Sequence, residues 1–322
     1  ALQPDSTYRF RCFDIIRERI NAADIAVANM EFTLAGKPYA GYPMFSAPDS
    51  YATYLAECGF DIFLTANNHI LDRGSRGAMR TLEIYGKLER IRGIRYTGSY
   101  LDPEDGLRRN PLTIRRKGYN LAIVNLTYGT NLGKTSEWPE INYIGARTSM
   151  GAMMKRTEGA DVCIAFPHWG DEYILTHNSR QESEAKWFAE NGADIIIGAH
   201  PHVVQDSGII EVRDTSAKDG IKKVPVVYSL GNAISNMSRE NSQIELMATL
   251  KITKNQDGDI ETLPLEFTYL WSSRPGGYCN HYAMLPVKDQ IGNSDKWIGK
   301  SEYDNMIATY NRVKEATKVK EK

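Results

Sequence analysis

The sequence has almost no charge imbalance. Its 322 residues carry 39 Lys and Arg against 40 Asp and Glu, a formal net charge of -1. Without a basic excess there is no electrostatic grip on nucleic acid, where lysine and arginine must neutralise phosphates, nor on an anionic membrane. The lysine-rich end, Lys314 to Lys322, reads as a solvated helix terminus. No apolar stretch reaches the roughly 18 residues that a membrane-spanning helix needs. Cysteine is scarce, with 4 residues, and Cys12, Cys58, Cys163 and Cys279 form no Cys-x-x-Cys pair. That spacing excludes a zinc ribbon and a dense disulfide framework, and Cys163, inside an apolar run, reads as a small core residue. There is no initiator methionine and no signal peptide. The start at Ala1-Leu2-Gln3-Pro4 reads as a chain whose N-terminal portion has been removed. What remains, 42% hydrophobic and 25% charged residues, is the composition of a soluble globular protein with a sizeable core. The length suits one large domain or two ordinary ones.

The most informative stretch is Ile195-Ile196-Ile197-Gly198-Ala199-His200-Pro201-His202. It opens as a β-branched run, expected of a strand buried on both faces. Proline disfavours helical geometry at the residue before it, so His200 is expected to be extended. Side chains at i and i+2 of an extended segment share a side. Two imidazoles would then leave the end of a buried strand together, where open α/β sheets place ligands. Histidine is the commonest metal ligand, and the competing reading is two hydrogen-bonded histidines in a tight loop.

In order, the pattern predicts a helix over Phe10–Ala22 with Phe13, Ile16 and Ile20 on one stripe. A strand follows at Ile25–Ala28, then a helix over Ser50–Cys58 with Gly59 as its stop. A strand at Asp61–Thr65, a helix at Arg76–Ile91 and a short strand at Ile94–Thr97 come next. Strand-like runs at Leu112–Ile114 and Leu121–Leu126 precede a loop over residues 127 to 147, a length that is usually functional or disordered. Then come a helix near Ser149–Glu158, a strand at Val162–Phe166 and a helix at Arg180–Asn191. Strands dominate afterwards: Val203–Val212, Val224–Ser229, Ile244–Thr253 and Ile260–Leu270, with Asp257-Gly258 as a hairpin signal. A last helix covers Glu302–Lys318. Alternating strands and helices followed by hairpins predict a mixed α/β sandwich, and no Pro/Ser-rich linker marks a boundary.

Several of these strands end in residues suited to metal or phosphate chemistry. Asn29 and Glu31 follow the first, Asn68 and His69 the second, His168 the strand before the central one, and His200 and His202 the central one. His177 lies just beyond His168, and only His281 is remote. Taken singly, each has an ordinary explanation; their shared location at strand ends is what points to a site. Carboxylate, asparagine oxygen and imidazole together suit Mn, Fe or Zn. Two such ions would clamp a phosphoryl group, and a histidine that holds no metal would serve the leaving oxygen. Asp72 and Glu172 are the expected partners to orient these imidazoles, and Asn232 is expected to point into the same cleft. Tyr128, Trp138, Trp169 and Trp271 are candidates for an aromatic polymer groove or for core.

These motifs recur in a known family. Asn29-Met30-Glu31, Ala66-Asn67-Asn68-His69 with Asp72 and Gly74, His168-Trp169-Gly170 with Glu172-Tyr173, Gly198-Ala199-His200-Pro201-His202 with Gln205, and Tyr228-Ser229-Leu230-Gly231-Asn232 appear in this order. Over residues 10 to 270 the chain resembles the bacterial capsule synthesis family CapA, which is similar to the calcineurin-like metallophosphoesterases. The resemblance implies a single metallophosphoesterase-like αββα sandwich, two mixed sheets flanked by helices, with residues 271 to 322 as an extension. It implies that Glu31 is a bridging carboxylate, that Asn68 ligates one metal and that His69, with Asp72, acts on the leaving group. His168 and His200 would bind one metal and His202 the other. Asn29, Asn67, Trp169, Glu172 and Asn232 are the expected substrate contacts. The family's first strand, ending in a Gly-Asp motif that supplies first-site ligands, has no counterpart in the sequence.

The implied function is a metal-dependent phosphoesterase-type hydrolase or transferase in capsule or exopolymer synthesis. Its substrate would be an anionic polymer or a phosphorylated compound, and membrane-bound capsule synthesis proteins would be its partners. The implied place is the cell envelope, with an anchor preceding Ala1. The alternatives are a non-catalytic member that binds an anionic polymer or partner, and a cytosolic phosphoesterase acting on a small nucleotide-like substrate.

Overall fold

In the computed structural model, residues 7–135, 137–215, 220–255 and 260–322 are described. The Asp257-Gly258 hairpin signal lies outside them. The chain is mixed α/β and forms two compact units. One takes Ala1–Phe10, Arg17–His168 and Asn191–Ala193; the other takes Arg11–Ile16, Trp169–Glu190 and Asp194–Lys322.

The first unit runs α1 (Arg17–Asn21), β1 (Val27–Asn29), α2 (Asp49–Glu57), β2 (Ile62–Leu64), α3 (Gly74–Arg92), β3 (Arg95–Thr97) and β4 (Ser99–Tyr100). It continues with α4 (Pro103–Arg109), β5 (Leu112–Arg116), β6 (Tyr119–Thr127), β7 (Glu140–Ile141), α5 (Arg147–Lys155) and β8 (Val162–His168). β1, β2 and β3 are parallel, with Ala28 opposite Phe63 and Phe63 opposite Tyr96. All of Ile62, Phe63 and Leu64 are buried, as a strand between two parallel neighbours requires. In α3, Ala78, Thr81, Leu82, Tyr85 and Leu88 are buried, a stripe at helical spacing. That helix ends at Gly93, whose φ of 75° is left-handed and favours glycine. β6 pairs antiparallel with β5 and parallel with β8, which brings Thr127 opposite His168.

The short helix α4 was not expected from the sequence, although its start is written there. Asp102 accepts from the Asp105 amide, and Pro103 occupies the first turn, the usual chemistry of a helix N-terminus. The helix expected over Phe10–Ala22 is reduced to a 3₁₀ turn at Asp14–Ile16 and the five-residue α1. Phe13, Ile16 and Ile20 are nevertheless buried.

The second unit contains α6 (Ser179–Glu190), β9 (Ile195–Ile197), β10 (Ser207–Arg213), β11 (Ile221–Val227), β12 (Ile244–Thr249), β13 (Ile252–Lys254) and β14 (Ile260–Thr262). β15 (Glu266–Ser273), β16 (Ala283–Pro286), α7 (Val287–Gln290) and α8 (Lys300–Thr317) complete it. β9 pairs parallel with β11, which pairs antiparallel with β10, and α6 packs on β9 and β10. β12, β15 and β16 form an antiparallel sheet. Ile244, Leu246, Phe267, Tyr269 and Trp271 from this sheet bury against Met306, Tyr310 and Val313 of α8.

Two long strands expected here are each interrupted. Ile244–Thr253 divides into β12 and β13, and Ile260–Leu270 into β14 and β15. Pro264 lies between the latter pair and has no N–H for a ladder. The strand expected from Val203 begins only at Ser207, because Gln205 Nε2 binds the carbonyls of Ile174 and Thr176 and holds a loop there. Among the described residues, no helix is long and apolar enough to cross a membrane.

Candidate metal centre

In the first unit the expected residues gather around the end of β8. β1 ends at Asn29, and two residues on, Glu31 Oε2 accepts from Asn29 Nδ2 at 3.2 Å. His168 is the last residue of β8. Its Nε2 lies 2.8 Å from Asn68 Oδ1 and 3.7 Å from Glu31 Oε1. Metal–ligand bonds of about 2.0–2.2 Å put neighbouring donors roughly 3 Å apart. Carboxylate, amide oxygen and imidazole are therefore spaced to share one divalent ion, and the donor set suits Mn, Fe or Zn.

The loop carrying Asn68 is held by buried asparagines. Asn125, on β6, accepts from the Ala66 amide at 2.7 Å and donates to the Phe166 carbonyl at 2.8 Å. Asn67 donates to the Met30 carbonyl at 2.9 Å and accepts from the His69 amide at 3.1 Å. With Asn67 fully buried and both ends of its amide engaged, its expected role as a substrate contact is corrected to a brace for the loop. Gly98 closes the back of this loop. A Cβ there would sit 2.1 Å from Asn125 Oδ1 and 2.6 Å from the Ala66 amide, and its φ is +107°.

His69 stands beside these donors. Asp72 Oδ2 accepts from His69 Nδ1 at 2.8 Å and also from the Phe45 amide at 2.8 Å. The ring is met edge-on by Phe45, 4.6 Å between centroids. Asn131 Nδ2 lies 3.3 Å from His69 Nδ1, and the Asn131 amide donates to the Asn68 carbonyl at 2.9 Å. Asp72 thus orients His69 as the sequence suggested. Asn125, Asn131 and Phe45 were not anticipated. Only the position of Asn131, in a long polar loop, hinted at a role.

In the second unit the two histidines after β9 are not extended. His200 has a φ of 103° and His202 a φ of 59°, which corrects the expectation drawn from Pro201. The chain is pinned at both carbonyls instead: the Trp169 amide donates to Ala199 and the Tyr173 amide to Pro201, at 3.0 and 2.8 Å. Tyr173 is itself left-handed, with a φ of 66°. Three non-glycine residues at positive φ in one loop pair is strain of the kind that collects at functional sites. The imidazoles stay close, with ring centroids 5.8 Å apart.

The orienting partner of His202 is Asn232, whose Oδ1 lies 2.9 Å from Nδ1. Asn232 Nδ2 also donates to the carbonyls of His202 and Ser242, at 3.2 and 3.1 Å. Its amide is spent holding the histidine, so the expected substrate contact is corrected to a positioning role. Glu172 is exposed and, among the described residues, orients neither imidazole; Asn232 takes the part expected of it. Trp169 is 3% exposed and donates Nε1 to the Tyr228 carbonyl, so it is core and not a substrate platform. Trp271, fully buried, bonds Glu302 and likewise drops out of any aromatic groove. His177 binds Asp206 at 2.8 Å and stacks on Tyr228.

Strand-end imidazoles, a carboxylate and an asparagine oxygen on a mixed α/β scaffold are donors of the kind that a divalent metal accepts. Residues 3–237 match the model of the family described as Bacterial capsule synthesis protein PGA_cap, and the chain belongs to that family. It is 26% identical over 226 residues to the capsule biosynthesis protein CapA of Bacillus anthracis, covering 68% of this chain and 51% of that protein. It is 26% identical over 214 residues to the PGA biosynthesis protein CapA of Bacillus subtilis (strain 168), covering 66% and 52%. The chain spans about half the length of these curated relatives. A solved structure of a 5'-nucleotidase precursor from Thermus thermophilus is similar with a TM-score of 0.48 and 13% identity, covering 92% of this chain and 51% of that one. A hypothetical protein from the same organism gives 0.45 and 14%, covering 79% and 90%.

Proposed function

We propose that this chain is a metal-dependent hydrolase or transferase of the phosphoesterase type that serves bacterial capsule or exopolymer synthesis. One observation carries the reading. His168 Nε2, Asn68 Oδ1 and Glu31 Oε1 converge at metal-ligand spacing, next to a histidine whose ring is fixed by a carboxylate. Glu31, Asn68, His168, His200 and His202 are the proposed ligands. Mn, Fe or Zn is the proposed metal, and two ions the proposed number. A bound divalent ion supplies Lewis-acid polarisation of a phosphoryl group.

The chain's own residues supply the rest. Asp72 accepts from His69 Nδ1 and so fixes the direction of Nε2. With both ring nitrogens protonated, His69 holds a proton at Nε2 for the departing oxygen. Asn232 holds His202 in one rotamer and leaves its Nε2 for the metal, the role that partners outside the ligand set commonly play. The proposed substrate is an anionic polymer or a phosphorylated compound. Membrane-bound capsule synthesis proteins are the proposed partners and the cell envelope the proposed location. Membership of a capsule synthesis family supports the location.

The test is hydrolysis of bis(p-nitrophenyl) phosphate by the metal-loaded chain, with His69→Ala and His168→Ala alongside. The reading expects turnover with Mn that falls by about 10²–10⁴-fold in His69→Ala, the usual worth of a general acid. A metal-loaded chain whose turnover is equal in both variants and the parent would overturn it.

A further inference from the structure

Methionine in this chain is mostly core. Met30, Met150, Met153, Met154, Met284 and Met306 are no more than 2% exposed, which suits an unbranched, adaptable apolar side chain. Met237 is different. It is half-buried in the loop that follows β11, with Asn236, Ser238 and Arg239 exposed on either side, and its sulfur is met by polar donors. Asn232 Nδ2 lies 3.5 Å from Sδ and the Tyr173 hydroxyl 3.9 Å.

Both donors also hold His202. Asn232 Oδ1 lies 2.9 Å from its Nδ1, and the Tyr173 ring stacks on the imidazole, 6.0 Å between centroids with 27° between planes. All four residues belong to the second unit.

The side-chain amide of Asn232 has more acceptors than hydrogens. Its two N–H groups face the carbonyls of His202 and Ser242, at 3.2 and 3.1 Å, and the Met237 sulfur. A thioether is a weak acceptor, so the carbonyls take the two hydrogens, and His202 is anchored at both its backbone and its ring. The backbone of Met237 is held in place. Arg274 and the Ser242 hydroxyl donate to its carbonyl, and its amide donates to the Ser235 hydroxyl. The division of hydrogens at Asn232 therefore depends on the sulfur staying a poor acceptor.

We propose that Met237 is an oxidation site whose sulfoxide releases His202 and so lowers metal affinity reversibly; the effect on metal rests on His202 being a ligand. A hydroperoxide supplies the oxygen. The sulfur electron pair attacks the terminal oxygen, and an S–O bond forms as the O–O bond breaks. The proton passes to the leaving oxygen, which departs as water or an alcohol. Sulfur is oxidised and the peroxide reduced. The product is polar, with a strong oxygen acceptor where a weak one stood. The 3.5 Å between Nδ2 and sulfur has no room for an oxygen with its own hydrogen bond of about 2.7–3.2 Å, so Asn232 must shift. The new oxygen also competes for one of the two N–H groups, and a carbonyl loses its donor. Both changes turn Asn232 away from His202. Methionine sulfoxide reductases restore the thioether.

The experiment treats the metal-free chain with hydrogen peroxide, removes the peroxide and locates the added oxygen by peptide mass mapping. Met79 of α3 is exposed and should oxidise too, which makes it an internal control. Met237→Leu keeps the apolar volume without a sulfur. The oxidised parent should bind Mn at least tenfold more weakly in calorimetric titration, as when an orienting residue is lost. Its backbone amides between residues 202 and 205 should exchange faster with solvent. Peroxide-treated Met237→Leu, still oxidised at Met79, should show neither change, and reductase should restore both in the parent. Faster exchange in a parent that binds no Mn at any stage would support the release of His202 and count against the metal reading alone. The proposal is overturned if Met237 stays unoxidised while Met79 reacts, if exchange is unchanged by oxidation, or if Met237→Leu loses as much as the parent.

Discussion

His69 and Asp72 meet side chain to side chain, Nδ1 to Oδ2 at 2.8 Å, three residues apart on one turn. The same carboxylate oxygen takes the Phe45 amide, so one acidic residue positions both an imidazole and the loop that covers it. Asp72 Oδ1 is buried with no described partner. Asp72→Asn keeps the shape and replaces one acceptor by a donor. We expect the unfolding free energy to drop by about 1–3 kcal/mol, the cost of disturbing buried hydrogen bonds. Urea denaturation of the two proteins measures it; no change would mean that the pair is incidental.

Gly98 is a packing constraint as well as a conformational one. Alanine there would drive a methyl into Asn125 Oδ1 and the Ala66 amide at left-handed φ. The expected loss is about 3 kcal/mol or more, from overpacking and strain together. A Gly98→Ala protein melting with the parent would show that the loop is less tightly held than its hydrogen bonds imply.

Much of this was legible beforehand because it depends on local pattern. The parallel strands of the first unit announced themselves as apolar runs, and the candidate ligands as polar residues at their ends. The geometry at His200 was not legible: a proline rule spoke for an extended residue, and two long-range hydrogen bonds from residues 169 and 173 overrode it. Trp169 misled for a similar reason. A tryptophan beside a histidine looks like a platform until its Nε1 finds the Tyr228 carbonyl. Asn125 carries no sequence signal at all and Asn67 signalled the wrong role, since a buried asparagine is recognised only by what it holds.

Glu245 makes stability depend on pH. Burial of its carboxyl, with no cation beside it among the described residues, pushes the group up to about 8. The folded chain therefore keeps a proton there that the unfolded chain, with an ordinary glutamate at about 4.3, gives up. Between these values the native state binds more protons, so this residue's contribution to stability falls as pH rises, with the loss complete above about pH 8. Glu245→Gln should flatten the decline between about pH 5 and 8.5 and be the more stable protein at the upper end. Urea midpoints for both proteins at the two pH values are the check, and parallel profiles would exclude the assignment.

Asn232 is expected to act on metal binding through His202. Removing its side chain in Asn232→Ala frees the His202 ring to turn and leaves the Ser242 carbonyl without its donor. Metal affinity should fall about 10–100-fold, the usual effect of losing a residue that orients a ligand. Titration with Mn, followed calorimetrically, reads it directly. Equal affinity would place His202 outside the ligand set.

The most direct measurement is metal binding itself, by elemental analysis and calorimetric titration of the chain with Mn and Zn, beside His168→Ala and His200→Ala. The expected result is stoichiometric binding in the parent chain, weakened at least tenfold in each variant, with thermal unfolding raised by the metal only in the parent. Binding that survives in both variants, or no binding in the parent at all, would contradict the central claim.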